Sequence, residues 1–294
     1  MTVLLNHDTK VLVQGITGRI GSFHAEDAIK HGTKIVGGVT PGKGGTTHLD
    51  LPVFDTVEEA VAETGADASI MFVPPAFAAD SMMEAADAGL KFSVSIADGI
   101  PTQDMVSVKA YLRSIPAGRR MRFVGPNCAG IISPGVGMMG IMPEHIYLAG
   151  RIGIVARSGT LSYEAASQLK QHGLGVSTSV GIGGDPVNGS SFKDILELFE
   201  ADAETDAVVL VGEVGGPQEH EAADYIRSTM TKPVAAYIAG LSAPKGRRMG
   251  HAGAISSVGE TARDKADALQ AAGAAISPTT SDIGNTMAGV LGRG

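Results

Sequence analysis

Short apolar runs recur along the whole chain, and the stretches between them place apolar residues at helical spacing. In the first half the runs read as strands at 10–14, 34–39, 68–73, 91–96 and 121–124. They resume in the second half at 151–156, 175–179, 207–211, 233–239 and 274–277. The intervening helices include 76–88, where Phe77, Met82, Met83 and Ala86 recur near helical spacing, and then 161–172, 191–200, 219–229, 262–272 and 283–291. A strand followed repeatedly by a helix demands parallel sheets with helical crossovers, so the fold class is α/β. Between the halves, from Gly125-Pro-Asn-Cys128 through Pro134-Gly-Val-Gly137 to Met142-Pro143, glycine and proline dominate without period. That segment reads as a domain boundary, and 294 residues suit two domains of ordinary size.

Composition excludes several roles. A net charge of −8 with no Lys/Arg-rich run argues against nucleic acid as a partner. No apolar stretch approaches the ~20 residues that span a bilayer, so no membrane association is expected. The first ten residues are polar and lack a signal-peptide core, and the single Cys128 fits a reducing compartment; a cytoplasmic protein is expected. Forty glycines and 4% aromatics point to tight turns and close backbone approaches.

After the first strand comes Gly15-Ile-Thr-Gly18-Arg-Ile-Gly21, a glycine-rich turn opening a helix. Bare N–H groups at a helix start can cradle phosphate. A nicotinamide dinucleotide site needs an acid at the end of the second strand to hold the ribose. Here the chain reads Gly37-Gly-Val-Thr-Pro-Gly-Lys43, with a lysine instead. A nucleotide bearing extra phosphate, such as coenzyme A, meets that description; the alternative for Lys43 is a solvated loop lysine.

A second strand–turn–helix junction carries Arg157-Ser-Gly-Thr160. Ser158, Gly159 and Thr160 either face an anion or merely cap the helix. Gly181-Ile-Gly-Gly-Asp-Pro186 and Gly212-Glu-Val-Gly-Gly-Pro217 each follow a strand, so both belong to the same sheet rim. Glu213 is the acid there best placed to accept an imidazole N–H, unless it is a solvent-facing loop carboxylate. The last such segment, Ala243-Pro-Lys-Gly-Arg-Arg-Met-Gly-His-Ala-Gly-Ala-Ile255, sets His251 among small residues behind Lys245, Arg247 and Arg248. A neutral imidazole with cations nearby suits uptake of a phosphoryl group. A glycine-rich surface turn with a solvated histidine is the plainer reading.

These segments, with Val36 to His48, Gly125-Pro-Asn-Cys128 and Val180 to Pro186, resemble the α subunit of succinyl-CoA synthetase and its relatives, the ADP-forming acid–thiol ligases, nearly end to end. The resemblance implies a Rossmann-like CoA-binding domain over 1–128 and a flavodoxin-like ligase domain over 129–294. It implies that His251 is phosphorylated and that Glu213 orients it. Thr17, Gly18, Arg19, Ile20, Lys43 and Ile96-Ala97-Asp98 fall on CoA-contacting positions. Tyr163 and Asn127 fall on the substrate side, and Ser158-Gly159-Thr160 on the helix that holds the phosphohistidine. No metal site is implied on this chain; ATP and Mg2+ belong to a partner, an ATP-grasp β subunit, in αβ or a higher multiple.

Departures from the usual pattern include Arg19-Ile20 for Ser-Gln, Asp98 for Glu, Ala156 for Ser and Ala129 for Pro. The last of these, Gly125-Pro-Asn-Cys-Ala129-Gly, with Asp98-Gly-Ile-Pro-Thr-Gln-Asp104, Ile131-Ile-Ser-Pro-Gly135 and Asn188-Gly-Ser-Ser-Phe192, makes the chain similar to the malate–CoA ligase (malate thiokinase) branch. Succinate or citrate as the acid is the alternative within the family. Outside it stand an NAD-dependent oxidoreductase, which lacks its ribose acid here, and a CoA-sensing module, which has no use for a second domain or the histidine segment.

Overall fold

A computed structural model describes residues 3–244, 246–255 and 261–292. The first half builds β1 (Val11–Gln14), α1 (Arg19–Lys30), β2 (Ile35–Val39), β3 (Thr47–His48), β4 (Leu51–Phe54), α2 (Val57–Thr64), β5 (Ala68–Met71), α3 (Pro75–Asp87), β6 (Phe92–Ser95), α4 (Thr102–Ser114) and β7 (Arg122–Val124). The second builds β8 (Gly130–Ser133), β9 (Gly137–Gly140), β10 (Ala149–Ala156), α5 (Gly159–Gln171), β11 (Val176–Gly181), α6 (Phe192–Ala201), β12 (Ala207–Glu213), α7 (Gln218–Ser228), β13 (Val234–Ala239), α8 (Ala262–Ala271), β14 (Ala275–Ile276) and α9 (Ile283–Val290).

The first sheet runs β3-β4-β2-β1-β5-β6-β7 and is parallel except for the short β3–β4 hairpin. Leaving β3 aside, the chain-order ranks read 3-2-1-4-5-6, the Rossmann arrangement. The second sheet runs β14-β13-β12-β10-β11-β8-β9, whose parallel part has the 2-1-3-4-5 order of flavodoxin-like folds. Ligands of open α/β sheets collect at the carboxyl ends of strands where the order reverses. Those points lie between β1 and β5 in one sheet and between β10 and β12 in the other. Gln14 and Phe72 flank the first; Arg157 and Glu213 flank the second.

Residues 125–143 are not the aperiodic connection that their composition suggests. They contain the β8–β9 hairpin, which pairs antiparallel with β11 at the edge of the second sheet. Its Ile131, Ile132, Met138 and Met139 are buried. The glycines that hide the strand period also permit it: a Cβ on Gly130 would meet the Met139 carbonyl oxygen at 2.2 Å. The hairpin also ties the two sheets together. Thr33 Oγ1 donates to the Met138 carbonyl and accepts from the Met138 N–H, each at 2.8 Å. One apolar cluster runs from Val11 and Val13 through Val124, Cys128 and Ile131 to Val208 and Leu210, so the two sheets share a core.

Candidate active site

The glycine turn after β1 opens onto a cleft of about 840 Å³ lined by Gly15, Thr17, Gly18, Arg19, Ile20 and Lys43, together with Phe72 and Phe77. Gly15 has a φ of +82°, and a Cβ there would meet the Phe72 carbonyl oxygen at 2.8 Å. Only glycine lets the turn lie so close to β5. Helix α1 starts beyond Gly18 with no side-chain cap, which leaves its first N–H groups for a ligand. Lys43 Nζ donates to Thr17 Oγ1 at 3.1 Å, so the lysine stands at the mouth of this cleft. A recess of about 340 Å³ shares Ile20 and Phe72 and extends the cleft to Ile96, Ala97 and Asp98.

Asn127 joins that recess to the second sheet. Its N–H donates to the Ala97 carbonyl at 2.9 Å, and its own carbonyl accepts from the Gly184 N–H at 3.1 Å. Its side-chain amide donates to Asp185 Oδ1 at 3.0 Å. The backbone turns sharply here, with Asn127 at φ +50°, a conformation that asparagine tolerates better than most residues. Asp185 is buried, and burial raises its carboxyl above the usual range.

His251 lies across this junction. Its Nδ1 is 2.7 Å from Glu213 Oε2. The side chains are 29% and 8% exposed, so Glu213 is a buried acid rather than a solvent-facing one. A carboxylate accepting at Nδ1 fixes the proton there and leaves Nε2 as the free lone pair. That hydrogen bond raises the histidine's pKa, against an opposing contribution from burial. The ring packs on bare backbone: a Cβ on Gly184 would fall 2.2 Å from His251 Cγ. Gly253 N–H donates to the Gly184 carbonyl at 3.0 Å, and Arg248 bridges to Ile255, so the histidine loop is held against the sheet rim. Arg247 and Arg248 are exposed; Lys245 lies outside the described residues.

Helix α5 starts at Gly159, two residues beyond Arg157, whose Nε lies 3.3 Å from Glu213 Oε1. Ser158 is its N-cap by position but makes no capping bond; its hydroxyl instead lies 3.1 Å from Thr160 Oγ1. The helix N-terminus therefore keeps free donors, as an anion site requires. Tyr163, one turn in, donates to the Ile141 carbonyl at 3.4 Å, and a Cβ on Gly159 would meet Ala129 Cβ at 3.0 Å. The cleft of the first sheet is thus linked through Asn127 to Gly184, on which the imidazole packs, and α5 starts uncapped two residues beyond Arg157, the ion-pair partner of Glu213.

Residues 6–99 match the CoA binding domain family, and residues 155–275 match the CoA-ligase family. The chain is 60% identical to the malate–CoA ligase subunit alpha of Methylorubrum extorquens, over 100% of this chain and 99% of that one. It is 55% identical to the ADP-forming succinate–CoA ligase subunit alpha of Aquifex aeolicus, over 99% and 95%. The chain belongs to the acid–CoA ligase α-subunit family. Among solved structures it superposes on ATP citrate lyase from Methanothrix soehngenii in complex with citrate and coenzyme A, with a TM-score of 0.88 and 25% identity. That match covers 99% of this chain, which spans about half of the lyase chain, 50%.

Three residues of the ligase subunit escaped the sequence reading. Arg157 is 3% exposed; its Nε lies 3.3 Å from Glu213 Oε1, an ion pair not aligned as a hydrogen bond, and its guanidinium donates to the Gly215 and Asp185 carbonyls. It precedes the Ser-Gly-Thr turn, and a buried arginine at a strand end was the available signal. Asp185 sits inside a segment read only for its glycines. Lys265 shares the apolar face of α8 with Ala262, Ala266 and Leu269, where a lysine has no place without buried partners.

Proposed function

We propose that this ligase subunit, with an ATP-grasp β subunit that supplies ATP and Mg2+, joins malate to coenzyme A and releases ADP and phosphate. The observation that carries the reading is the 2.7 Å contact from His251 Nδ1 to the buried Glu213, which leaves Nε2 to act. The Nε2 lone pair attacks the γ-phosphorus of ATP as the bond to ADP breaks. Glu213 stabilises the charged ring, and the free N–H groups of α5 at Ser158, Gly159 and Thr160 hold the phosphoryl oxygens. The phosphoryl group then passes to a carboxylate oxygen of the acid, near Asn127 and Tyr163. The CoA thiol, led in along Thr17, Gly18, Arg19, Ile20 and Lys43 past Ile96, Ala97 and Asp98, attacks the acyl carbon and expels phosphate, its proton leaving to solvent.

The division of labour follows two domains, 1–128 for CoA and 129–294 for the phosphohistidine, in keeping with a first sheet ending at Val124 and a second beginning at Gly130. A cytoplasmic setting completes the reading. It accords with a chain of one cysteine, which needs no internal disulfide; among the described residues no helix is long and apolar enough to cross a membrane. The αβ complex, or a multiple of it, is the catalytic unit.

Succinate is the second reading, favoured by the 55% identity to a succinate–CoA ligase subunit. Incubating the αβ complex with γ-labelled ATP is expected to yield an acid-labile, base-stable phosphoprotein. His251→Asn is expected to abolish the label, and a variant that kept it would remove His251 from the reaction. Malate, succinate and citrate, each supplied with CoA and ATP, identify the acid.

A further inference from the structure

Lys265 and Glu219 form an ion pair at 2.5 Å with both side chains 0% exposed. Burying two charges so completely is unfavourable unless every proton and lone pair is used. Here they are used on one target. Lys265 Nζ donates its other two protons to the carbonyls of Glu213 at 2.8 Å and Gly215 at 2.7 Å. The second carboxylate oxygen of Glu219, Oε1, accepts the N–H of Glu213 at 3.1 Å. Both backbone groups of Glu213 are therefore gripped by one buried pair.

Gly215 matters as much. A Cβ there would meet the Gly253 carbonyl oxygen at 2.2 Å and the Ile255 nitrogen at 2.8 Å, so the turn 213–215 is also the bed on which the histidine loop lies. We infer that Lys265, anchored by Glu219, is a positioning residue that sets the distance between Glu213 and His251, and so governs uptake of the phosphoryl group. The inference rests on the reading of His251 as phosphoryl carrier. Lys265 touches neither imidazole nor cleft; it acts by fixing the backbone that presents the carboxylate. The charged groups around the histidine are Glu213, Arg157 and Asp185, and of these only Glu213 has its backbone held by the pair.

The test uses the αβ complex with Lys265→Met, which keeps the apolar stem and removes the donors. Because it strands the Glu219 carboxylate in the core, Lys265→Met/Glu219→Gln is made beside it, neutralising both while Gln retains an acceptor for the Glu213 N–H. Single-turnover labelling from γ-labelled ATP is followed across pH, with the His251 titration read by NMR and the KM for CoA measured on the same samples. Labelling is expected to fall about tenfold or more in whichever variants fold, with the KM for CoA unchanged. The hydrogen bond to Glu213 raises the histidine's pKa, so loosening it is expected to move both the titration and the acid limb of the labelling profile to lower pH. A fold that was merely weakened would lose active protein without moving that limb. Labelling at the natural rate with an unmoved limb in either variant overturns the inference. So does failure of both variants to fold, which would make the pair a folding element alone. Absence of label in the natural protein would instead defeat the phosphohistidine reading itself.

Discussion

At the scale of single residues, the imidazole's chemistry depends on what stands on either side of it. Glu213 accepts at Nδ1 and is itself faced by Arg157, so the buried carboxylate has a cation on one oxygen and the histidine on the other. Glu213→Gln keeps the shape and removes the charge that stabilises the ring when it becomes cationic. Positioned groups of this kind contribute ~10²–10⁴-fold, so labelling of His251 is expected to fall about a hundredfold, with the histidine titrating nearer its ordinary range. Stopped-flow labelling and NMR titration check both. On the opposite face Gly184 leaves no room: a Cβ would sit 2.2 Å from the ring. Gly184→Ala must displace either the ring or the loop. Overpacking costs about 1–3 kcal/mol, and the loss of phosphoryl uptake is expected to exceed the loss of stability. Equal uptake at an unchanged melting temperature would show that the ring does not work where it is seen.

At the scale of elements, the candidate site is built from turns placed after strands, and here the sequence spoke unevenly. Glycine spacing after β1, the lysine after β2 and the Ser-Gly-Thr opening of α5 were legible because their chemistry is local. The β8–β9 hairpin was not, since Gly130, Gly137 and Gly140 erase the alternation that marks a strand, and pairing with β11 is a long-range fact. The Lys265–Glu219 pair was half legible: a lysine on an apolar stripe signals buried partners, but not which ones. Whether the Ser at the start of α5 caps its helix also needed coordinates, and Ser158 makes no capping bond. Lys43 tests the element that carries it. Losing a charge-assisted hydrogen bond costs ~1.5–3 kcal/mol, so Lys43→Ala is expected to raise the KM for CoA about tenfold or more. Labelling of His251 by ATP should scarcely change. The reverse pattern, lost labelling with unaltered CoA dependence, would detach Lys43 from the CoA cleft.

At the scale of the whole molecule, two sheets of different topology meet at Asn127, and the proposed reaction would seat the acid between the cleft and the imidazole. Asn127 links the two by hydrogen bonds to Ala97, Gly184 and Asp185, so the residues just after it shape the space that remains. Ala129 is one of these. It is 4% exposed, with its methyl against the start of α5 at Gly159 and near Gly181. A proline here would press a ring toward the same helix N-terminus and remove an N–H. A difference of about two methylenes in a pocket discriminates ligands by ~1–3 kcal/mol. Malate is succinate with one added hydroxyl, so a smaller side chain and a backbone N–H that proline lacks would both act in its favour. The specificity constant is therefore expected to be higher for malate than for succinate, and Ala129→Pro is expected to move the ratio toward succinate by about tenfold. Competition between the two acids at equal concentration, with the thioesters separated by chromatography, measures the ratio directly. A clear preference for succinate in the natural protein would reassign the acid and leave the phosphohistidine chemistry standing, because the Glu213–His251 contact does not depend on which acid follows.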